Sequence, residues 1–385
     1  MERRKFLTSA AALGVGALSM ESCQNSIDKD SSFNVRDYGA KGDGATSDTK
    51  AIQAALDAAG EVCGTVWFPS GIYLCHDLRV PSSVHLKGDP AWLYKREEKG
   101  AVLKLDDENA RCILNVTDAF GVHVYGLVLN GISKTPQPVH GILQDNATGS
   151  LEYSENGWSK KEDTFVFDDI KVMNCSGHGI YLRNIWLFII RHSHFMGNVG
   201  DGVCIRGWDG FVTDNQFSGN GGNGFACEEV GATVMFTCNR VEWNGGYGLF
   251  ITNGDDWNVT GNSFDRNHGA GLCVENVQAL AITGNVFRRC GKDSAQLSEG
   301  ERSCQVRLKD CRGMSFVGNT CLAGQDDGGK GLFTPQVGFI VQNMSYSVIS
   351  GNTLFNGYMD EMLVDLGGHG PEYIFKDNVG CPKKN

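Results

Sequence analysis

The sequence predicts an all-β solenoid, on three observations. The first is a repeat of 22–24 residues from about 165 onward: Phe195, Phe217, Val241, Phe264 and Phe287 stand at that spacing. A unit of that length cannot bury its own hydrophobic face, so successive units must stack. The second is composition. Glycine contributes 51 of 385 residues and proline only 8, as expected of many tight turns between short strands. The third is the recurrence of Asn and Gly at turn positions between short apolar runs, which favours stacked β coils over helical repeats.

The elements follow in chain order. Residues 1–25 read as an export signal: Arg3-Arg4-Lys5-Phe6-Leu7 precedes a small, apolar run from Ala10 to Met20. The arginine pair is similar to a twin-arginine signal. Cys23 is a candidate acylation site, which would make a periplasmic or cell-surface lipoprotein; the alternative is a simple cleaved signal. Residues 26–32 form a polar linker and 33–385 one β-solenoid domain. No later segment holds the 18 consecutive apolar residues of a membrane span. Residues 48–59 read as an amphipathic helix, with Asp48 as its N-cap, Gly60 as its stop, and Ile52, Ala55, Leu56 and Ala59 on one face. Residues 64–74 follow as two short strands around a Pro-Ser-Gly turn.

Three pieces of this N-terminal stretch carry a resemblance: 34–44 (NVRDYGAKGDG), 48–55 (DTKAIQAA) and 64–73 (GTVWFPSGIY). Residues 33–90 resemble the rhamnogalacturonase/epimerase-like pectate lyase superfamily, which includes polygalacturonase-type glycoside hydrolases. The resemblance implies a right-handed parallel β-helix whose N-terminal end is covered by the helix. It does not select a reaction, because the family holds hydrolases, lyases and epimerases.

A glycine column sets the register: Gly179, Gly202, Gly224, Gly248 and Gly271. Alternation after each glycine makes Ile180/Leu182, Val203/Ile205 and Phe225/Cys227 inward. An earlier coil, His140–Asp145, fits the frame with Gln144 as a polar departure at an inward position. Three outward columns result. Before the glycine stand His140, His178, Asp201, Asn223, Tyr247 and Ala270. In mid-strand stand Leu143, Tyr181, Cys204, Ala226, Phe250 and Cys273. At the strand end stand Asp145, Arg183, Arg206, Glu228, Thr252 and Glu275. Asn198, Asn220, Asn244 and Asn267, and Asn215, Asn239, Asn262 and Asn285, form two further columns that suit stacked, structural amides.

Neighbouring coils lie about 4.8 Å apart, so His140, His178 and Asp201 can converge on one ligand, beside paired charge from Arg183 and Arg206. These titratable groups lie next to an insertion at 146–164 that carries Glu152, Tyr153, Glu155, Trp158, Lys160 and Lys161. A long aromatic and charged loop on a regular solenoid is usually functional. The bland alternative is that each polar side chain holds its turn by bonding the next coil, and that the strand-end charges are surface ion pairs worth about 0–1 kcal/mol.

The expected ligand is a polysaccharide. A net charge of −11 argues against nucleic acid, and aromatic faces suit sugar rings. Gly177-His178-Gly179-Ile180 resembles the Gly-His-Gly motif of polygalacturonase-like hydrolases, so hydrolysis is narrowly favoured, with Asp201 as acid, His178 tuning it and His140 beside them. Arg183, Arg206, Tyr181, Glu228, Trp158 and Tyr153 are the expected sugar contacts. Hydrolysis needs a carboxylate pair, and regular strands would hold Asp201 and Glu228 about 16 Å apart. The alternative is a lyase or epimerase acting on a uronate polymer. There Arg183 and Arg206 neutralise the substrate carboxylate, and His178 or Tyr181 is the base. A third reading is a non-catalytic carbohydrate-binding β-helix. No metal is predicted, although calcium on Asp145 or Asp201 would serve a lyase. The 14 cysteines lack paired spacing, so Cys227 and most others should be buried, reduced hydrophobes.

Overall fold

The computed structural model describes residues 31–89, 100–145, 163–291, 302–325 and 328–384. The signal, Cys23 and most of the linker therefore lie outside the described residues. So do Glu152, Tyr153, Glu155, Trp158, Lys160 and Lys161 of the insertion.

The described chain winds as a parallel β-helix. Its strands form sheets of 19 and 13 members, and every strand pairing is parallel except a short Gly324–Gln325 with Phe333–Thr334 pair. Long strands such as Ile180–Arg191, Val203–Thr213 and Phe225–Thr237 bend around a corner and serve two faces of the coil. The core is a continuous column of inward side chains, all buried: Ile180, Val203, Phe225, Leu249 and Leu272 on one face, and Phe195, Phe217, Val241, Phe264 and Phe287 on another. Phe195 stacks on Phe217 at 5.2 Å and Phe264 on Phe287 at 4.9 Å, so the repeat period in the sequence is the aromatic stack in the core.

The glycine column has a steric cause. A Cβ on Gly179 would meet the carbonyl oxygen of Gly202 at 2.5 Å, and one on Gly202 that of Gly224 at the same distance. Any side chain there would push successive coils apart. Both asparagine columns are buried amide ladders. Asn198 Nδ2 donates to Asn220 Oδ1, and Asn220 Nδ2 to Asn244 Oδ1, each at 2.9 Å. The second ladder runs on through Asn285, Asn319, Asn352 and Asn378, across coils lengthened by insertion. Gln144 also accepts its inward place: buried, it donates to the carbonyls of Arg183 (3.2 Å) and Asn184 (3.3 Å).

The helix spans Thr49–Gly60 and buries Ile52, Ala55, Leu56 and Ala59 against the first coils, as its periodicity predicts. Two details differ. Asp48 occupies the N-cap position but makes no cap bond; its carboxylate accepts instead from the backbone of Lys41 (2.7 Å) and Gly42 (3.0 Å). Gly60 is the last helical residue and Glu61 the C-cap. Cys227 is buried, and desolvation pushes its thiol well above the usual range. None of the thirteen described cysteines is in a disulfide.

Candidate active site

The mid-strand column forms in the expected register, and the strand-end column does so except between Arg206 and Thr252. Leu143 pairs with Tyr181, Tyr181 with Cys204, Cys204 with Ala226, Ala226 with Phe250 and Phe250 with Cys273. Asp145 pairs with Arg183, Arg183 with Arg206, and Thr252 with Glu275. The mid-strand column is nonetheless largely covered. Leu143, Cys204, Ala226 and Cys273 are buried, and Tyr181 is half-buried.

The column before the glycines is a ladder of side-chain acceptors. His140 Nδ1 accepts the backbone N–H of His178 at 3.0 Å, and His178 Nδ1 that of Asp201 at 2.9 Å. Asp201 Oδ1 accepts from Asn223 N, and Asn223 Oδ1 from Tyr247 N at 2.8 Å. Each residue thus satisfies one N–H of the next coil. This corrects the expectation that Asp201 simply points outward: it is buried, because its carboxylate turns along the stack to reach Asn223.

The ladder also fixes a tautomer. A neutral ring whose Nδ1 accepts must carry its proton on Nε2. His140 and His178 therefore present Nε2–H donors, and neither is a base while its ladder bond holds. The same His178 Nδ1 lies 3.3 Å from Asp201 Oδ2. Burial, then His178 and Arg111, lower the His140 pKa to about 4, so the ring is neutral at ordinary pH. The two imidazoles stack at 5.3 Å, and the Tyr181 ring lies 5.0 Å from His140 and 5.3 Å from His178. Burial raises the Tyr181 phenol above its usual value.

The strand-end column lines a small pocket with Tyr181, Arg183, Cys204, Arg206, Glu228 and Glu229. Asp145 bridges Arg111 (2.7 Å) and Arg183 (3.2 Å). Arg206 pairs with Glu229 at 2.5 Å, not with Glu228. Arg206 Nε is buried and has no hydrogen-bond partner. The reason for the exchange of partners is a bulge. Ile205 pairs with Cys227 and Gly207 with Gly231, so residues 228–230 all stand opposite Arg206. Partial burial, then the negative charge of Asp201, raise the Glu228 carboxyl, while His178 opposes that shift. Glu228 thus lies within the field of the His178–Asp201 pair. Arg111 and Glu229 are site residues that the columns missed. Arg111 lies one residue before Cys112, the partner of His140, in a coil earlier than those aligned.

Among the described residues, one ligand atom each of His178, Asp201 and Cys204 lie within 4.8 Å of one another. The grouping does not fit a metal. His178 has its Nδ1 lone pair engaged and its Nε2 protonated, and burial with the charges of Asp201 and Glu228 drives the Cys204 thiol far above its usual range. It is a hydrogen-bonded cluster.

Comparison with known proteins supplies the family. The family model described as rhamnogalacturonase A/epimerase, pectate lyase-like, matches residues 32–109, and that of the right-handed β-helix region matches 153–241 and 178–358. Mannuronan C5-epimerase AlgE2 of Azotobacter vinelandii is 28% identical over 245 residues, covering 58% of this chain and 23% of that protein. Alginate lyase 7 of the same organism is 64% identical over 42 residues, 11% of this chain and 5% of that protein. Among solved structures, the A-module of Azotobacter vinelandii mannuronan C5-epimerase AlgE6 superposes with a TM-score of 0.61 at 19% identity, covering 91% of this chain and all of that one. The chain spans about a quarter of the length of the curated epimerase it matches.

Proposed function

Because the chain belongs to the right-handed parallel β-helix proteins of the pectate lyase-like superfamily, we propose that it modifies a polysaccharide by removing the C5 proton of a uronate residue. The product is then either the C5 epimer or the eliminated, unsaturated sugar. The observation that carries this reading is the pocket in which Arg183, Arg206, Tyr181 and Glu228 meet.

Proton abstraction next to a carboxylate is difficult because the electrons must flow onto a group already negative. Arg183 and Arg206 offset that charge through the guanidinium groups they bring to the pocket. The base must be a group without a proton, which excludes both ladder-bound histidines. Glu228 fits: its raised pKa makes its carboxylate a stronger base than an ordinary one. Tyr181, kept protonated by burial, is the acid that returns a proton to C5 or gives one to the leaving oxygen, and it recovers that proton from Glu228 through solvent, while the His178 Nε2–H donates a hydrogen bond to the developing negative charge without giving up its proton. A neutral imidazole held as a donor is an established way to stabilise developing negative charge. The named activities of the epimerase and lyase relatives support this chemistry over the hydrolysis that the Gly-His-Gly motif favours.

Hydrolysis stands as a second reading on one observation: the negative charge of Asp201 raises the Glu228 carboxyl, so these two carboxylates feel one another as the pair in a glycosidase does. The discriminating experiment uses polyuronates in D2O. Deuterium appearing at C5 supports the proposal. New reducing ends with neither deuterium at C5 nor an unsaturated chromophore support hydrolysis instead. Calcium in a lyase reaction would have to come with the substrate or on Asp145, since Asp201 is held by Asn223. Export through the Arg3-Arg4 signal, with or without a lipid on Cys23, is part of the same proposal, as such polymers are extracellular.

A further inference from the structure

The arginine pocket is closed in this structure, and the chain's own carboxylates close it. Its volume is about 20 Å³, which holds roughly one water and is too little for the carboxylate of a sugar. Both guanidinium groups that line it are neutralised from within the chain: Asp145 pairs with Arg183 at 3.2 Å and Glu229 with Arg206 at 2.5 Å. A uronate that is to be held by these arginines must replace one of the two carboxylates.

The two are not held equally. Asp145 lies between Arg183 and Arg111, the latter at 2.7 Å, and its backbone N–H donates to Thr117 Oγ1 at 3.1 Å. Glu229 is paired with Arg206, and its side chain is 63% exposed against 31% for Asp145. An exposed ion pair is weak, so this one opens at little cost. The bulge is what aims Glu229 at Arg206, because residues 228–230 stand opposite that arginine. Asn184, Asn253 and Asn276 hold the same corner in other coils, at left-handed φ values of 56°, 53° and 55°. Asparagine takes that conformation readily. Glu229 has no such advantage at its φ of 69°; what the corner gains from it is a carboxylate that reaches Arg206. The Glu229 N–H donates to Thr252 Oγ1 at 3.3 Å. Its backbone is thus tied to the next coil, and the side chain alone is left to swing out.

Such an exchange selects its ligand. A carboxylate that replaces Glu229 keeps Arg206 paired throughout. A neutral or esterified sugar would leave Arg206, two-thirds buried, without a counter-charge. We propose that Glu229 is an internal stand-in for the substrate carboxylate: it occupies Arg206 while the pocket is empty, and a uronate binds by taking its place, which makes Glu229 a specificity-determining residue. The proposal rests on the reading of the pocket as the uronate position.

Titration calorimetry at low salt tests it, with a hexauronate and its methyl ester as probes and Glu228→Gln as the common background that stops turnover. Glu229→Gln should tighten both probes by the same factor, about two- to fivefold, because each must break the contact that the change removes. Glu229→Gly, which suits the left-handed corner, should do the same, and circular dichroism melts check that both variants fold. With Arg206→Ala added, Glu229→Gln should change neither probe's affinity, since the competition acts through that guanidinium. Tightening of the hexauronate alone would make Glu229 a repelling surface charge and overturn the proposal. Weakening of either probe would make it a sugar contact and overturn it equally. The two readings fail separately. If Arg206→Ala leaves hexauronate affinity unchanged, the uronate does not sit on Arg206, and the pocket reading falls together with the stand-in. If Arg206→Ala weakens the hexauronate by about tenfold or more but Glu229→Gln tightens neither probe, the pocket reading stands and the stand-in alone fails.

Discussion

Two kinds of ladder climb the same solenoid and do the same job with different residues. In the core-side ladders every rung is asparagine, from Asn198 to Asn267 and from Asn215 to Asn378. In the outward ladder the rungs are His140, His178, Asp201 and Asn223, and each accepts the same kind of N–H from the next coil. Accepting that bond demands only one lone pair, and Asn223 shows that asparagine suffices there. Two histidines and an aspartate therefore exceed what the fold requires. The excess lies on the outer edge of the rings, against Tyr181 and near Glu228. Higher up, the same face turns apolar: Ala270, Cys304, Val337 and Ile340 form a cluster with Tyr247 packed on it. A rung can be structural through one atom and functional through another.

The largest effect should come where function owes nothing to the ladder. Glu228→Gln should cut turnover on a polyuronate by about 10²–10⁴-fold, the usual worth of a positioned base. The same change should raise the melting temperature at neutral pH. A carboxyl whose pKa is raised by folding is disfavoured as an anion, so its ionisation opposes folding once the pH exceeds the unfolded value. The stabilisation should fade in acid, where wild type is itself protonated. Full activity in this variant would remove Glu228 from the mechanism.

His178 tests the two-atom idea directly. His178→Asn keeps an acceptor where Nδ1 stands and deletes the Nε2–H. It should lose about 10²–10³-fold in rate, as for a single missing donor to developing charge, yet melt like wild type. His178→Ala should lose as much rate and also about 1–3 kcal/mol of stability, because the Asp201 N–H is left without its partner. Asp201→Asn should likewise hold the stack. If His178→Asn turns over at the wild-type rate, the ring is a rung and nothing more.

How far the sequence could reach is clear from these residues. The stack was legible because period, glycine column and core aromatics all repeat for the same steric reason, that coils lie one strand spacing apart. The columns through Tyr181 and Arg183 followed from alternation alone. Two things did not follow. Alternation says which face a side chain leaves from, not where its far atoms go, so the turn of Asp201 toward Asn223 was invisible. The bulge does have a trace in the spacing of the repeat. The coil holding Arg206 spans 22 residues between Phe195 and Phe217, while the next spans 24 between Phe217 and Val241. Those two extra residues are the ones that make 228–230 face Arg206 alone. Unequal spacing in a repeat marks where a coil departs from its neighbours, and here it marks the pocket.

The all-asparagine ladder should respond in the opposite sense to His178. Asn220→Ala removes an acceptor for Asn198 Nδ2 and donors to Phe195 O and Asn244 Oδ1, all buried. Leaving those groups unsatisfied should cost about 3 kcal/mol or more. Activity per folded molecule should stay at the wild-type level well below the melting point. An active-site defect in this variant would mean the two ladders are not separable.

Acid should weaken the fold through the outward ladder. His140 is held neutral in the folded chain, with its pKa lowered to about 4, and the buried His194 has the same value with Lys171 contributing. A depressed histidine pKa contributes stability that is complete above its unfolded value near 6.5. That stability is lost as the pH falls toward about 4, because the unfolded chain takes up the proton first. Melting temperature should therefore fall across that window. His140→Asn, which keeps the acceptor for His178 N, should flatten the fall; an unchanged slope would show that His140 does not titrate as the ladder requires.

The smallest effect belongs to Glu275, on the strand-end column but beyond the pocket. It lies in register between Thr252 and Lys309. Its surroundings are those of a surface charge, and a change there is normally worth no more than about 0.5 kcal/mol. Glu275→Ala should leave rate, substrate preference and melting temperature where they are. The comparison of rungs depends on that silence, since Glu275 occupies the same structural column as Arg183 and Arg206 without Tyr181, Glu228 or a bulge beside it. A loss in this variant rivalling that of His178→Asn would show that column position, not the local exchange of asparagine for titratable residues, defines the active surface.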